Sequence, residues 1–540
     1  MQRLLRGLYE KLMKRTRPSA DPPPRASASV VPWRRGRDGR LEVYWVRRSP
    51  EMAFMGGWWA FPGGGLDRKR DPAVPVAGRP QGTSEESFTA PLPELTDGQR
   101  QTLGPDLVPG LVAAALRELW EEIGLLVTTS EGIVPSEGLR AARRRLLAKE
   151  ATFAEGLSAE GLELDASPLV FAGRWLTPAF SPVRFDNRFF LLEWPAERPF
   201  EPELAVSEIG GGELDRGEWL PPAEALERWQ RGEVMTAPPI LHVLRVLAED
   251  GPEEGIERLR HPRETHLGPL RWIEFRPGVV MLPLRTRTLL PATRTNTYLL
   301  GRDEMALIDP APTDGAEIER LRRALASARS DHGRHVSQIW LTHHHRDHVG
   351  AVKAVQREFS LPVFAHRLAA GPLERAGIRL DGELEDGQRI ELGGDPPFPV
   401  RVIHTPGHTR GHLAFFDETH GSLVTGDLVA GLGTIVIDPP EGDMSEYLDS
   451  LERSAELEPK TLFPAHGPAI LEAVEKLHSY REHRLWREEK VLEAWRAGKK
   501  TPREMVEDVY DDTPKAAHRI AERQIAAHLE RLEALGKLTG

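Results

Sequence analysis

The chain has 540 residues, 40% of them hydrophobic and 28% charged, with a mean hydropathy of −0.41 and no cysteine. At roughly 100–200 residues per domain it holds about three domains with sizeable cores, and no apolar run approaches the ~18 residues of a membrane span, which argues against a membrane-spanning protein. Lack of cysteine excludes disulfides, zinc ribbons, iron–sulfur clusters and thiol nucleophiles, so any metal must sit on His, Asp and Glu, and the net charge of −11 argues against a whole-chain attraction to nucleic acid while leaving a local basic patch open.

Residues 1–28 read as a basic helix and a proline- and serine-rich connector. Leu4, Leu5, Leu8 and Leu12 recur at helical spacing. The segment lacks the apolar core and cleavage site of a secretory signal. It reads as a surface helix, with a membrane-surface or targeting role as the alternative, and a cytoplasmic location is expected. Residues 29–250 form the next domain. LEVYWVR at 41–47 alternates like a half-buried strand and leads to the glycine-dense FPGGG at 61–65. From about 68 to 108 the composition turns to Pro, Gly, Thr, Glu and Asp, an inserted loop. An amphipathic helix follows at about 109–123, then aromatic strands (GRWLTP and VRFDNRFFLLEWP) and a helix after EWLPPAEAL.

A polar linker at 251–266 precedes a domain at 267–480. There strand-like VVMLPL, NTYLLG and MALIDP open an alternating β/α pattern. Residues 481–540 are a charged, mostly helical tail. The fold class is α/β multidomain.

In Arg117-Glu118-Leu119-Trp120-Glu121-Glu122-Ile123-Gly124-Leu125, a helix brings Glu118, Glu121 and Glu122 to one face at i,i+3 and i,i+4 spacing, while Leu119 and Ile123 face a sheet. Clustered acids repel unless a cation or arginine sits among them. Mg²⁺ or Mn²⁺, which prefers oxygen ligands and commonly also binds substrate phosphates, suits the cluster. The other reading is an ordinary solvated helix face.

This stretch resembles the second half of the Nudix signature, G-x5-E-x7-R-E-U-x-E-E-x-G-U, and Phe61-Pro62-Gly63-Gly64-Gly65-Leu66-Asp67 resembles its first half. Gly64 and Arg117 stand 53 positions apart where the signature has 14. Its first Glu falls on Arg70 counting from Gly64, or on Pro109 counting back from Arg117. Arg48-Ser49-x3-Ala53-x3-Gly57-x3-Phe61-Pro62-Gly63-Gly64 is similar to the coenzyme A recognition pattern of the peroxisomal-type coenzyme A diphosphatases, with alanine for its middle arginine. The resemblance implies an α/β/α sandwich that cleaves a pyrophosphate. Glu118, Glu121 and Glu122 would hold Mg²⁺ or Mn²⁺, with Glu118 and Glu213 as catalytic carboxylates. Arg48, Ser49, Gly57, Gly63 and Gly64 would bind a coenzyme A-like or nucleotide substrate.

Leu341-Thr342-His343-His344-His345-Arg346-Asp347-His348-Val349-Gly350 carries an H-x-H-x-D-H pattern. Its occurrence by chance, at this histidine content, is on the order of one in a thousand. It follows strand-like SQIWLT, so the histidines sit on a loop leaving a sheet. Thr405-Pro406-Gly407-His408-Thr409, Thr425-Gly426-Asp427 and Pro464-Ala465-His466-Gly467 each end an apolar run with one ligand-type residue. Together these segments resemble the metallo-β-lactamase fold, an αββα sandwich. The resemblance implies one metal on His343, His345 and His408, a second on Asp347, His348 and His466, and a bridging Asp427. Asp347 would also serve in catalysis and Asp309 in support. Two Zn²⁺ (or Mn or Fe) would acidify a water toward a pKa of ~7 for attack on an ester, thioester or phosphodiester. His344 reads as a non-ligand; for His404 and His412, supporting and surface roles are equally open.

The tail resembles the winged-helix tail of the β-lactamase-like-protein-2 subgroup, which includes a single-strand endoribonuclease. Arg481, Arg484, Arg487 and Lys490 recur at helical spacing, as a basic stripe or as a solvated face among equally frequent glutamates. The expected function is a bifunctional metal-dependent hydrolase acting on small molecules such as acyl-coenzyme A. The alternative is RNA processing, with the first half acting on nucleotides or serving as a binding module.

Overall fold

The computed structural model describes residues 23–52, 55–90, 104–130, 137–178, 181, 183–194, 202–204, 213–262 and 272–538. The expected N-terminal helix and Ala53 lie outside them, but the connector expected to end at residue 28 does not hold as read: Arg25–Arg35 is a strand, and Ala26, Ser27, Ala28 and Val30 are buried in it, small side chains whose composition resembled a linker. The described residues fall into two compact units, one within 20–270 and one within 271–540.

The first unit is built on a seven-stranded sheet whose middle strand, Arg25–Arg35, runs parallel to Phe185–Glu193 and antiparallel to Leu41–Arg48 and Gly63–Gly65. Alternation along the strands sends side chains to opposite faces. Ala26, Ala28, Val30, Tyr44, Val46, Phe190 and Leu192 join one core, and Val31, Trp33, Val43, Trp45, Phe189 and Leu191 join the other. Helix Val108–Ile123 covers the first face. Its alanine- and leucine-rich sequence favours a helix, proline occupies its first turn, and Gly124 ends it in the left-handed region at φ 72°. Helices Pro222–Gln230 and Pro238–Glu249 cover the second face. Helices on both faces of one sheet give the expected α/β/α layering.

Two further segments depart from the sequence reading. The stretch read as an inserted loop contains a short helix, Glu85–Thr89, capped by Ser84 and Ser87. Phe88 is buried against Phe171 and Phe190. Buried Arg188 donates to the Phe88 carbonyl and Arg174 to the Ala90 carbonyl (2.8 Å), while Asp186 pairs with both arginines. The segment is therefore docked on the sheet. The linker expected at 251–266 instead forms helices Gly251–Glu254 and Ile256–Arg260, because Leu259 is fully buried and Arg260 Nε donates to the Phe171 carbonyl at 3.0 Å. Its charged composition concealed that apolar anchor.

The second unit stacks two sheets. The seven-stranded one runs from Ile273–Arg276 to Gly382–Glu383, antiparallel over its first four strands and parallel from Glu304–Ile308 onward. The five-stranded one contains Arg389–Leu392, Phe398–His404, Leu413–Asp417, Ser422–Gly426 and Thr461–Pro464. Trp340 against Phe415 and Tyr298 against Phe463 join the inner faces. Helices Gly315–Ser330 and Val352–Phe359 pack on the first sheet, and Met444–Ala455 on the second. The tail holds helices Pro502–Val509 and His518–Ala534 around a core of Val491, Met505, Val509, Ile525 and Leu532. The boundary expected at 480/481 falls inside one continuous helix, Ala473–Arg496. Leu477 on it belongs to the sheet core and Val491 to the tail core, so no break separates them.

The tail arginines form neither a basic stripe nor a solvated face. Arg484 and Arg487 are buried, donating to the Ile435 and Val509 carbonyls, and Arg487 also pairs with Asp512. Arg481 pairs with Glu452 and Lys490 with Asp511. Helical spacing alone does not say which face of a helix meets a core.

Candidate functional site

Among the described residues, the candidate ligands read from the sequence gather in two places, one in each unit, and the groups close enough to hold a metal ion lie in the second. In the second unit, strand His335–Trp340 ends before Leu341 and Thr342, and His343–His348 lie on the loop and helical turn beyond it. Asp309 follows strand Glu304–Ile308 with φ at 49°, a left-handed conformation uncommon for an aspartate. That backbone turns its carboxylate to accept from Thr342 N (2.8 Å), Thr342 Oγ1 (2.6 Å) and His348 Nδ1 (2.8 Å).

Four histidines have one ring nitrogen tied to a hydrogen-bond partner. His343 Nδ1 contacts Thr342 Oγ1 at 3.0 Å and His348 Nδ1 contacts Asp309. His408 Nδ1 donates to the Val436 carbonyl at 2.6 Å and His466 Nδ1 to the Arg294 carbonyl at 3.0 Å. Such partners fix tautomer and ring angle, leaving Nε2 as the donor to a metal. His345 instead presents Nδ1, 3.0 Å from His408 Nε2.

His343, His345 and His408 form one group, and Asp347, His348 and His466 a second, the candidate ligand atoms of each lying within 4.8 Å of one another. Asp427 sits between them. Its Oδ2 is 3.5 Å from His408 Nε2, and its Oδ1 is 3.6 Å from His348 Nε2 and 3.4 Å from His466 Nε2. His343 Nε2, His348 Nε2 and Asp427 Oδ1 are buried without a hydrogen-bond partner. Three such orphaned atoms aimed into one spot fit divalent metal, since buried polar atoms are otherwise satisfied.

Electrostatics divide the histidines: burial would lower His348, but Asp427 and Asp309 beside it raise it well above the usual histidine range. Burial pushes His343 well below the usual histidine range and His408 down to about 4, which keeps both neutral. Burial would raise the Asp427 carboxyl, but His466, His348 and His408 around it hold it well below the ordinary carboxylate range.

The flanking histidines separate by role. His412 is buried, accepts from Asp427 N at Nε2 (2.9 Å) and contacts Thr405 Oγ1 at 2.7 Å, so both nitrogens are committed and it supports Asp427. His404 stacks on His366 and contacts the Arg410 carbonyl. His344 turns to Glu441, 2.8 Å away, and Glu441 also lies 3.8 Å from His345 Nε2. Sequence reasoning missed Glu441, which belongs to no motif.

In the first unit, helix Val108–Ile123 carries its carboxylates against the glycine strand. Gly63 N donates to Glu122 Oε2 at 2.9 Å, and a Cβ on Gly64 would stand 2.3 Å from the Glu118 carboxylate. That carboxylate end could swing aside, but a Cβ on Gly63 would stand 2.3 Å from the Ala28 carbonyl oxygen, so the close backbone approach requires glycine at 63. Glu118 is pushed up to about 7 by burial, with Glu121 and Glu213 adding to the shift against Arg117. Burial also raises Glu121, and raises Glu122 well above its usual value. One buried and two half-buried acids with raised affinity for protons have the chemistry to accept a cation.

Arg117 is tied to Asp71 (Nε–Oδ1 2.9 Å), Glu118 (2.9 Å) and Glu121 (3.1 Å). Asp71, fully buried, was also missed; it stands six positions after Gly65 rather than Gly64. Ser49 N donates to the Glu213 carbonyl (2.8 Å), and Gly57 N, at φ 76°, donates to the Arg48 carbonyl (3.0 Å). Arg48 is near enough to act on Glu122, and the exposed Glu213 on all three acids. Arg48, Glu213 and the carboxylate helix therefore share one end of the sheet.

Residues 501–539 match the Beta-lactamase associated winged helix domain, and residues 290–466 the Metallo-beta-lactamase superfamily. A NUDIX hydrolase structure from Alicyclobacillus acidocaldarius shows 32% identity, covers 46% of this chain and 98% of that one, and has a TM-score of 0.35. An atrochrysone carboxyl ACP thioesterase of Aspergillus chevalieri is 30% identical over 230 residues, 41% of this chain and 69% of that protein. The Beta-lactamase-like protein 2 homolog of Drosophila melanogaster is 33% identical over 256 residues, 45% of this chain and 84% of that protein. No helix among the described residues is long and apolar enough to cross a membrane. The chain is a metallo-β-lactamase-fold hydrolase and belongs to the metallo-beta-lactamase superfamily, among the beta-lactamase-like protein 2 homologues.

Proposed function

We propose a bifunctional hydrolase in which the histidine centre cleaves an ester or thioester, such as that of an acyl-coenzyme A, and the carboxylate helix cleaves a coenzyme A-like or nucleotide pyrophosphate. The observation that carries the first activity is Asp427, whose two oxygens each face a separate histidine group. His343, His345 and His408 would hold one divalent cation, Asp347, His348 and His466 a second, and Asp427 both. Bound there, the cations supply a water acidified toward a pKa of ~7. Asp309 and His412 orient the ligands. Asp347, a fifth of its side chain exposed, is the carboxylate that reaches solvent and passes protons between the centre and water. The relative that bears the name of a thioesterase adds support for a thioester.

In the first unit Glu118, Glu121 and Glu122 would hold Mg²⁺ or Mn²⁺, with Arg117 and Asp71 fixing their rotamers and Glu213 as base. Arg48, Ser49, Gly57, Gly63 and Gly64 would line the substrate path. An RNA-processing role would need basic side chains for phosphates, and Arg484 and Arg487 are committed to the protein interior.

Mass spectrometry of products from an acyl-coenzyme A, with Zn²⁺ and Mg²⁺ supplied, tests both halves. Free coenzyme A that disappears in His343→Ala assigns the thioesterase. Phosphoadenosine product that disappears in Glu121→Gln/Glu122→Gln assigns the pyrophosphatase. If neither product forms, coenzyme A is the wrong substrate class, and RNA and nucleoside diphosphates become the next panel.

A further inference from the structure

We propose that the C-terminal tail is a clamp on the metal centre, and that Gln524 is its principal positioning residue. This rests on the reading of His343, His345 and His408 as metal ligands. At its outer nitrogen His408 is oriented by the hydrogen bond from Nδ1 to the Val436 carbonyl. Val436 lies on an extended loop, so something must fix that carbonyl in space. The tail does so from both sides. Gln524, on helix His518–Ala534 and 2% exposed, donates from Nε2 to the Ile435 carbonyl at 2.9 Å and accepts at Oε1 from Ile437 N at 3.2 Å. Its amide thus pairs with the two peptide groups flanking Val436. Arg484, also 2% exposed, adds a 2.6 Å hydrogen bond to the Ile435 carbonyl. Arg523 pairs with Asp438 at 2.7 Å farther along the loop.

The same loop then reaches Glu441, which faces the outer nitrogens of His344 and His345. One histidine of the first group is therefore oriented by a loop whose backbone is held by the tail, and the same loop brings Glu441 to 3.8 Å from a second, His345. A purely stabilising tail would have no reason to meet the backbone on either side of the carbonyl that seats a candidate ligand. Buried polar pairing of this kind selects one geometry, because each partner left unpaired would be costly.

The test is cobalt(II) titration of the metal-free full chain, with excess Mg²⁺ to keep cobalt off the carboxylate helix, followed by visible absorption. His408→Ala identifies the bands that depend on that group. Gln524→Met keeps the volume and removes both hydrogen bonds. Partners in direct contact with metal-bound histidines change affinity about 10–100-fold; one step farther out, we expect roughly a 3–10-fold weaker affinity and a shift of the His408-dependent bands. Helical circular dichroism should remain unchanged. Unchanged affinity and bands in folded Gln524→Met overturn the clamp. Should that variant unfold the tail, Arg523→Ala on the surface carries the same test: a smaller shift in the same direction supports the clamp, and none overturns it. Lys515→Ala, on an exposed ion pair elsewhere in the tail, is the control. If the unmodified chain gives no His408-dependent bands at all, the metal-centre reading has failed, an outcome distinct from failure of the clamp.

Discussion

The two candidate centres solve the problem of concentrated charge in opposite ways. The carboxylate helix places Glu118, Glu121 and Glu122 within one and a half turns, Glu122 buried and the other two half-buried around a single arginine, so desolvation first and like charge second raise their proton affinities. The histidine centre gathers its groups from separate loops, where Asp427 and Asp309 each face histidines and the partners offset one another. One site keeps a net repulsion that a cation, on the proposed reading, would relieve. The other is partly settled by its own side chains. The metal-free protein should therefore respond oppositely when a carboxylate is removed from one centre or the other.

The largest effect is expected at Asp427. Asp427→Asn should lower kcat/KM for thioester hydrolysis on the order of 10³-fold, about 4 kcal/mol in transition-state stabilisation. It should also destabilise the second unit without metal by about 3–5 kcal/mol, because His348 and His466 lose their buried partner. Steady-state kinetics and denaturant melts of the metal-free form read the two effects. In contrast, Glu122→Gln should abolish Mg²⁺-dependent pyrophosphate cleavage yet stabilise the metal-free first unit by about 1–2 kcal/mol. Glutamine still accepts from Gly63 N and removes a repelling charge. A destabilised Glu122→Gln protein would erase the contrast.

Acidity sharpens the comparison. The folded Glu118 carboxyl titrates at about 7, above the ordinary 4.5, so folding takes up a proton between those values. Its contribution favours the metal-free fold below about pH 4.5 and is lost as pH rises through 7. Asp427 runs the other way: its folded value is depressed, so its contribution is present above 3.8 and is lost as pH falls through the lower folded value. Hydrogen exchange corrected for intrinsic rates should show helix Val108–Ile123 opening more readily at pH 8 than at pH 5.5, and Mg²⁺ should reverse this. Strand Ser422–Gly426 should show no such loss over that range.

Legibility in the sequence followed the distance over which each feature is encoded. Glu118, Glu121 and Glu122 share a face by helical periodicity alone, and the H-x-H-x-D-H run places four candidate ligands on one loop. Asp427 and His466 could be read because each ends an apolar strand with a turn. Val436, Glu441 and Gln524 could not: a backbone carbonyl has no sequence signature, and Gln524 meets its partners 89 and 87 positions away. Arg484 and Arg487 have the spacing of a surface stripe, and only packing tells that spacing from a buried one. Leu259 shows the same limit, a single apolar anchor in a charged run.

Asp71 gives the smallest expected effect and the finest test of the proposed pyrophosphate site, whose signature-like box is split between Gly64 and Arg117. Antiparallel pairing sets Gly65 opposite Ser27 and Gly64 opposite Ala28, which turns the following chain so that Asp71, not Arg70, meets Arg117. Arg117 also contacts Glu118 and Glu121, so losing Asp71 should loosen the carboxylates without dispersing them. Asp71→Asn should raise the Mg²⁺ needed for half-maximal pyrophosphate cleavage roughly tenfold, as for other partners that orient metal ligands, and leave thioester hydrolysis unchanged. Arg70→Ala, on an exposed side chain, should change neither. If Arg70→Ala proves the more damaging of the two, the box is read from Gly64 after all, and the arginine pairing through Asp71 serves the fold alone.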